Sequence, residues 1–159
     1  MVEIRDWDDN VIWSYAVVDQ HHNIEPLPNG NILCLLWDRY SDAEMIAMGR
    51  NPATVGEEML LDKIIEIQPV GTNDANVVWE WKFADHFIQD FDNTKLNFGI
   101  VADHPELLDL NFVDANVPNQ DIDYTHANGL DYNAALDQII ISVRHLNEIY
   151  IIDHSTTTA

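Results

Sequence analysis

The sequence has few basic residues: 7 lysines and arginines stand against 28 aspartates and glutamates, which gives a formal net charge of -21. Such a chain repels the phosphates of nucleic acids and anionic membranes, so neither is expected as a partner. The acidic residues are scattered rather than grouped, which indicates a heavily solvated surface. Because cations are scarce, an arginine at the end of an apolar strand is a better candidate for an anion site here than in a basic protein.

Cysteine and long apolar runs are scarce as well. Cys34 is the single cysteine, so no internal disulfide can form, and its neighbours Leu33 and Leu35 predict a small buried residue. No run approaches the roughly 18 apolar residues that a membrane-spanning helix needs. The N-terminus shows no basic segment followed by an apolar one, so no signal peptide is expected in this chain.

Apolar residues are abundant enough for a folded core, since 47% of the 159 residues are hydrophobic, and this length suits one domain. Alternating or apolar runs between turn residues predict strands. The pair Asn29-Gly30 between two such runs is the strongest short hairpin signal. The expected strands lie at residues 2–5, 11–15, 32–37, 63–67, 76–81, 139–143 and 148–152.

One segment has the features of a short helix. Ser41 offers an N-cap with acidic residues directly after it, and Gly49 followed by Pro52 ends the pattern. We expect a helical insertion within residues 41–50, whose methionines pack against the core rather than bind a ligand.

The strand pattern recurs along the chain as a unit of four: a histidine-bearing strand, a buried strand, a strand ending in an acid, and an aromatic outer strand. A repeating four-stranded antiparallel sheet is the signature of a β-propeller blade. The sequence therefore predicts an all-β protein of about two to two and a half blades. Residues 1–15 end one blade, 16–82 form a second blade with the helical insertion, 83–123 form a long loop and 124–159 start a third blade.

The candidate site lies in residues 121–153. His126 and Asn128 are two apart on a predicted strand, so their side chains are expected on one face. Arg144 follows the apolar run 139–143, and a guanidinium at the end of a strand can bind a small anion. Ordinary exposed or hydrogen-bonded strand residues would show the same pattern, so that alternative stays open.

The long loop of residues 83–123 also carries acids and histidines, including Asp85-His86 and Asp103-His104. Such side chains can bind a divalent cation, but their spacing matches no known metal-binding loop. A solvated lid is the preferred interpretation, and no metal is expected.

Taken together, the motifs resemble the arylsulfate sulfotransferases, bacterial six-bladed β-propellers that move sulfuryl groups between phenols without a nucleotide sulfate donor. The likeness extends over nearly the whole chain, which would supply a little over two of the six blades. It rests on His21-His22-Asn23-Ile24, Leu27-Pro28-Asn29-Gly30-Asn31-Ile32-Leu33, Val78-Trp79-Glu80-Trp81, Thr125-His126-Ala127-Asn128 and Ser142-Val143-Arg144-His145.

The resemblance implies a sulfate site in the central channel, formed by His22, His126, Asn128 and Arg144. His21 is the alternative to His22, which is preferred because its place in the blade mirrors that of His126. The implied partners are an aryl sulfate and a phenol acceptor, with no cofactor. A periplasmic or extracellular location is also implied.

The histidine that the family sulfurylates transiently belongs to a later blade, which we expect after Ala159, so this chain alone is expected to be inactive. Two other interpretations remain: a propeller scaffold that binds an anionic ligand without chemistry, and a truncated structural module. Unpaired sheet edges in a partial propeller also favour self-association.

Overall fold

The computed structural model describes residues 1–113 and 116–156. Within these ranges the chain is mostly β-strand, with a single α-helix, α1 (Asp42–Ala47), and several short 3₁₀ turns, so the predicted all-β class is confirmed. The strands are β1 (Val2–Arg5), β2 (Val11–Tyr15), β3 (Gln20–Pro26), β4 (Ile32–Ser41), β5 (Glu58–Val70), β6 (Asp74–Lys82), β7 (Phe87–Ile88), β8 (Leu108–Asp109), β9 (Ala127–Asn133), β10 (Gln138–Val143) and β11 (Glu148–Asp153).

The larger sheets are antiparallel and follow the chain order. β1 pairs with β2, β3 to β6 form a four-stranded sheet, and β9 to β11 form a three-stranded sheet. The two-residue strands β7 and β8 pair in parallel. Since each antiparallel neighbour is also the next strand in the chain, each larger sheet is a meander.

The central strands of the four-stranded sheet, β4 and β5, are buried on both faces over much of their length, which explains the continuous apolar run in β4. Leu33 and Leu35 face a core shared with the three-stranded sheet, whereas Ile32, Cys34 and Leu36 face a second core shared with β1 and β2. Burial raises the pKa of the Cys34 thiol to about 12, so this residue is a small apolar core residue, as its neighbours predict.

Helix α1 lies inside the predicted segment 41–50. The Ser41 hydroxyl accepts a hydrogen bond from the backbone N–H of Glu44, whose carboxylate accepts from the N–H of Ser41, a capping box that defines the helix start. The helix buries Met45 in the larger core, so this methionine packs as expected. Among the described residues, no helix has the length and apolar character needed to cross a bilayer.

The turn after α1 requires glycine, and we expect Gly49→Ala to lower the free energy of unfolding by about 2–4 kcal/mol. Gly49 has φ 102°, and an added Cβ would lie 2.7 Å from Cδ of Gln89, a fully buried side chain. Gly30→Ala is the matched control, because Gly30 has φ 86° with nothing within 4 Å of the added Cβ. Urea denaturation should show a loss of only about 1–2 kcal/mol there; equal losses would contradict the steric argument.

The segment of residues 83–123 differs from the solvated lid expected of it. Phe83 and Leu110 are fully buried in the larger core, and the buried Tyr124 that follows donates its hydroxyl to the carbonyl of Asp109 at 2.5 Å. The two ends of the segment therefore pack into the core, whereas residues 90–107 between them are exposed or half-buried. Residues 114 and 115 of this segment, and residues 157–159 of the predicted third blade, lie outside the described residues.

Candidate active site

His22 lies two residues after the start of β3, and His126 directly precedes β9. Both have left-handed backbones, with φ 48° and 47°, a conformation that costs about 1–2 kcal/mol in a residue with a Cβ. The register between β3 and β4 shifts between Gln20 and Ile24, which accommodates the irregular backbone of His22. The two imidazole rings meet edge to face, with centroids 5.2 Å apart. The same strained conformation thus brings together two histidines from different sheets.

The prediction that His126 lies on a strand, on the same face as Asn128, is wrong, although His126 does reach the site. β9 begins at Ala127, so a spacing of two does not place His126 and Asn128 on one face of a strand. The left-handed φ of His126 sets its direction instead. A positive φ in a residue other than glycine depends on tertiary contacts, which a sequence pattern does not reveal.

The two histidine-bearing strands lie side by side. The side-chain amide of Asn23, next to His22, donates to the carbonyl of Leu130 in β9 at 2.6 Å. This hydrogen bond joins the four-stranded and three-stranded sheets directly beside the site.

Arg144 follows β10 and points its guanidinium at His126, with 3.5 Å between Nη1 and the imidazole Nε2. It is exposed, yet no carboxylate contacts it in the described part of the chain. Arg5 and Arg39, by contrast, each pair with two carboxylates. In a chain of net charge -21, a guanidinium without an acidic partner is available for an anion from solution.

Two further groups orient the His126 ring. The Asp123 carboxylate contacts Nδ1 of His126, and the His145 ring lies against His126 with centroids 4.7 Å apart. Nδ1 of His145 donates to the carbonyl oxygen of Asp123 at 2.6 Å. With Nδ1–H of His126 directed at a carboxylate, its Nε2 is the acceptor that faces Arg144.

His21 and His22 have different environments. His21 is buried, stacks on Trp37 with centroids 4.7 Å apart, and contacts the carboxylate of Asp62 through Nε2. His22 is exposed. The burial of part of its ring is the largest cause that lowers its pKa below the usual range, and the nearby rings of His21 and His126 lower the pKa further. His22 is therefore the one of the pair that solvent and a ligand can reach.

Asn128 lies on β9 and is exposed. Its Oδ1 accepts a hydrogen bond from the Ser142 hydroxyl at 2.9 Å. The amide Nδ2 can therefore donate a hydrogen bond to a ligand. Ser142 is on β10, two residues before Arg144. The structure thus places Asn128 on the neighbouring strand, without a direct contact to the histidines among the described residues.

A family model described as Arylsulfotransferase (ASST) matches residues 7–158, nearly the whole chain. This chain belongs to the arylsulfotransferase family. No curated protein and no solved structure gives a significant match. The resemblance expected from the histidine, tryptophan and arginine motifs is therefore confirmed at the level of the family.

Three side chains at the candidate site are also close enough to hold a metal ion. Asp123, His126 and His145 each offer one ligand atom within 4.8 Å of the others. Arg144 lies 3.5 Å from His126, however, and a guanidinium at that distance disfavours a second cation. The geometry fits an anion better than a metal.

Apart from Asp123, the acids and histidines discussed for the 83–123 segment do not converge. His86 stacks on Trp81 and has a pKa lowered by burial, while His104 pairs with the exposed Glu106. The Asp92 carboxylate accepts hydrogen bonds from Thr94. In the described ranges these groups form no shared ligand cluster.

The sequence interpretation missed Asp62 and Asp123, which contact the histidines of the candidate site. A signal for Asp62 was present, because it is an acid directly after the apolar residues Leu60 and Leu61 in a strand with a buried face. A charged residue in such a position needs a polar partner. Which partner it has is visible only in the fold.

Proposed function

We propose that this protein transfers a sulfuryl group from a phenolic sulfate ester to a phenol, and that His22, His126, Asn128 and Arg144 bind the sulfuryl oxygens. Membership of the arylsulfotransferase family supports the reaction class. The observation that carries the site is the exposed guanidinium of Arg144, which contacts His126 and no carboxylate among the described residues of a strongly acidic chain.

The proposal extends to the fold. Residues 1–15 end one blade of a six-bladed propeller, 16–82 form the next, 83–123 connect the blades and 124–159 start another. The meander order of the sheets supports this division, as do the matching left-handed backbones of His22 and His126 on adjacent inner strands. Side chains from successive inner strands then meet in the channel.

In the proposed reaction, charge develops on the sulfuryl oxygens and on the departing phenolate. The planar guanidinium of Arg144 binds two oxygens at once, and Asn128 donates one further hydrogen bond. A protonated imidazole, from His126 or His22, gives its proton to the phenolate oxygen as the bond from sulfur to that oxygen breaks. These groups stabilise the developing charge because they are held in place before the reaction begins.

The covalent carrier in this scheme is another histidine, separate from the four binding residues, as the family resemblance implies. Its nitrogen attacks the sulfur of the donor ester, and the phenol leaves with a proton. A second phenol then takes the sulfuryl group from that nitrogen and releases its own proton. The alternative function is a scaffold that binds an anion through the same four residues and performs no transfer. The exposed guanidinium of Arg144 supports this alternative equally well.

Titration with sulfate and with 4-nitrophenyl sulfate tests the binding site on this chain. We expect the side-chain NMR signals of His22 and His126 to shift, while those of His104 and His154, which pair with carboxylates elsewhere, stay unchanged. A bound anion stabilises imidazolium, so affinity should rise as the pH falls through the lowered pKa of His22, below about 6.5.

Sulfate that shifts all histidine signals equally, or none, would contradict the proposed site. Transfer is measured separately, in a protein that also supplies the carrier histidine, as release of 4-nitrophenol that depends on a second phenol. Selective binding without transfer would favour the scaffold.

A further inference from the structure

Asp62 is a buried carboxylate between the two histidine segments. It lies on β5, is 1% exposed, and is contacted by no lysine or arginine in the part of the chain that the structure describes. One oxygen, Oδ2, accepts from the Thr125 hydroxyl at 2.5 Å and from the backbone N–H of Ala127 at 2.6 Å. The other, Oδ1, lies 2.8 Å from Nε2 of His21. A buried carboxylate is costly, so this arrangement needs a reason beyond packing.

We propose that Asp62 is the positioning residue of the site: through His21 it sets the tautomer of His22, and through Thr125 and Ala127 it holds the His126 segment beside it. This inference rests on the proposed function for its role in transfer. The positions of the protons on His21 and His22 do not depend on that function.

The chain of contacts assigns each proton. Nε2 of His21 lies 2.8 Å from a carboxylate oxygen of Asp62, although the two are not aligned for a linear hydrogen bond. A lone pair on Nε2 would be repelled by that oxygen at this distance. Nε2 of His21 therefore carries the proton. In the neutral ring, Nδ1 of His21 is then an acceptor. It lies 2.8 Å from Nδ1 of His22, which must be the donor. Nε2 of His22 is left with a free lone pair.

The other oxygen of Asp62 acts on the second histidine. Thr125 and Ala127 flank His126, and both donate to the same carboxylate oxygen. These two bonds hold the backbone on either side of the left-handed residue, so its ring stays against His22. One carboxylate thereby sets the position of one histidine and the protonation of the other.

The assignment gives His22 a defined task in the proposed reaction. When the acceptor phenol attacks, its oxygen forms the new bond to sulfur as the bond from sulfur to the carrier nitrogen breaks. The phenol proton moves to the free Nε2 of His22. The resulting imidazolium is stabilised through His21 by the negative charge of Asp62.

Asp62→Asn is the test, because asparagine has nearly the same shape. Its carbonyl oxygen can still accept from Thr125 and Ala127, but its amide donates towards Nε2 of His21. That reverses the relay: Nδ1 of His21 becomes the donor, Nδ1 of His22 the acceptor, and the proton of His22 moves to Nε2. We expect nitrogen-15 NMR, recorded above the ordinary histidine pKa of about 6.5, to show Nδ1–H at His22 in the native protein and Nε2–H in the variant.

Asp137→Asn is the matched control, since Asp137 contacts His154 instead, and it should leave the His22 tautomer unchanged. In transfer assays on a protein that also supplies the carrier histidine, we expect Asp62→Asn to lower kcat about 100-fold or more with little change in KM, because anion binding by Arg144 persists. An unchanged His22 tautomer in Asp62→Asn, or Nε2–H already present in the native protein, would overturn the proposal.

A second variant covers the case in which Asp62→Asn does not fold. His21→Phe keeps an aromatic ring against Trp37 and removes the relay, so His22 should lose its Nδ1–H preference; retention of that preference would equally overturn the inference. The tautomer is read in the ligand-free protein. The tautomer assignment can therefore be confirmed even if sulfate does not bind at the site. Conversely, sulfate can bind at the site even if the tautomer assignment is wrong.

Discussion

Arg144→Ala is expected to weaken the binding of sulfate and aryl sulfates about 100-fold, because two charge-assisted hydrogen bonds to the anion are lost. Arg144 is exposed and points at His126 from 3.5 Å, without a carboxylate partner in the described ranges. Its removal therefore breaks no ion pair of the fold. Isothermal titration with sulfate measures the change, and urea denaturation should show nearly unchanged stability.

Arg39→Ala is the matched control for charge. Arg39 is also exposed, but it pairs with Asp19 and Glu58, so its removal makes the chain more acidic by the same amount without touching the site. We expect a change in sulfate affinity of no more than about 2-fold, because exposed charges at a distance are screened by salt. Equal losses in Arg39→Ala and Arg144→Ala would show that only the net charge matters.

Arg144→Lys separates charge from geometry. Lysine keeps the positive charge but cannot bind two oxygens with a planar fork. An affinity about 10-fold below native would fit the proposed bidentate contact. Full retention in Arg144→Lys would mean that a point charge is sufficient and would remove the bidentate assignment.

The second large effect concerns His154, whose ring joins the four-stranded and three-stranded sheets. Its Nε2 lies 2.9 Å from Oε2 of Glu66 in β5, and its Nδ1 lies 2.7 Å from Oδ1 of Asp137, just before β10. Glu66 is 5% exposed and also accepts from the side-chain amide of Asn31. The imidazole is thus the partner of one oxygen of this buried carboxylate, while the amides of Asn29 and Asn31 donate to the other.

We expect His154→Leu to lower the free energy of unfolding by about 3 kcal/mol, because the buried Glu66 loses its imidazole partner while the volume is nearly kept. Urea denaturation measures this loss. His104→Leu is the control: His104 also contacts a carboxylate, that of Glu106, but both groups are exposed, so the change should stay within about 0.5 kcal/mol. Similar losses in both variants would contradict the dependence on burial.

A further substitution tests the cause of that loss. Glu66→Gln removes the buried charge, so its combination with His154→Leu should be less destabilising than the sum of the two single changes. Strict additivity would mean that the two side chains do not interact.

The stability that Asp137 contributes through its contacts with Tyr132 and His154 depends on pH as well. The Tyr132 hydroxyl, and then His154, lower the pKa of Asp137. The stability from this carboxylate is therefore present above its ordinary pKa of about 3.9 and is lost as the pH falls below it.

Much of the fold follows from local pattern. The apolar run in β4, the Asn29-Gly30 turn and the cap at Ser41 each predict an element that the structure contains. Local signals are reliable there because hydrogen bonding and burial within neighbouring strands act over a few residues. The segment of residues 83–123 was predicted less well, since its buried aromatic residues lack a regular period and find their partners elsewhere in the chain.

The candidate site divides in the same way. Arg144, His22 and His126 were identified from motifs, and the structure brings these three together. Asp62 was not identified, because it reaches His21 only through the fold. Asp123 was not identified either, although it lies three residues before His126, because no motif marked it.

By itself, the sequence determined the all-β class, the family and the scarcity of cations that makes an arginine without an acidic partner significant, since all three depend on composition and local pattern. Only the tertiary structure decided that His22 and His126 share a left-handed backbone, that Arg144 lacks an acidic partner among the described residues, and that Asp62 links both histidine segments. The physical reason is distance along the chain. Hydrogen bonds between residues more than 60 positions apart, such as that from Thr125 to Asp62, exist only after the sheets have packed.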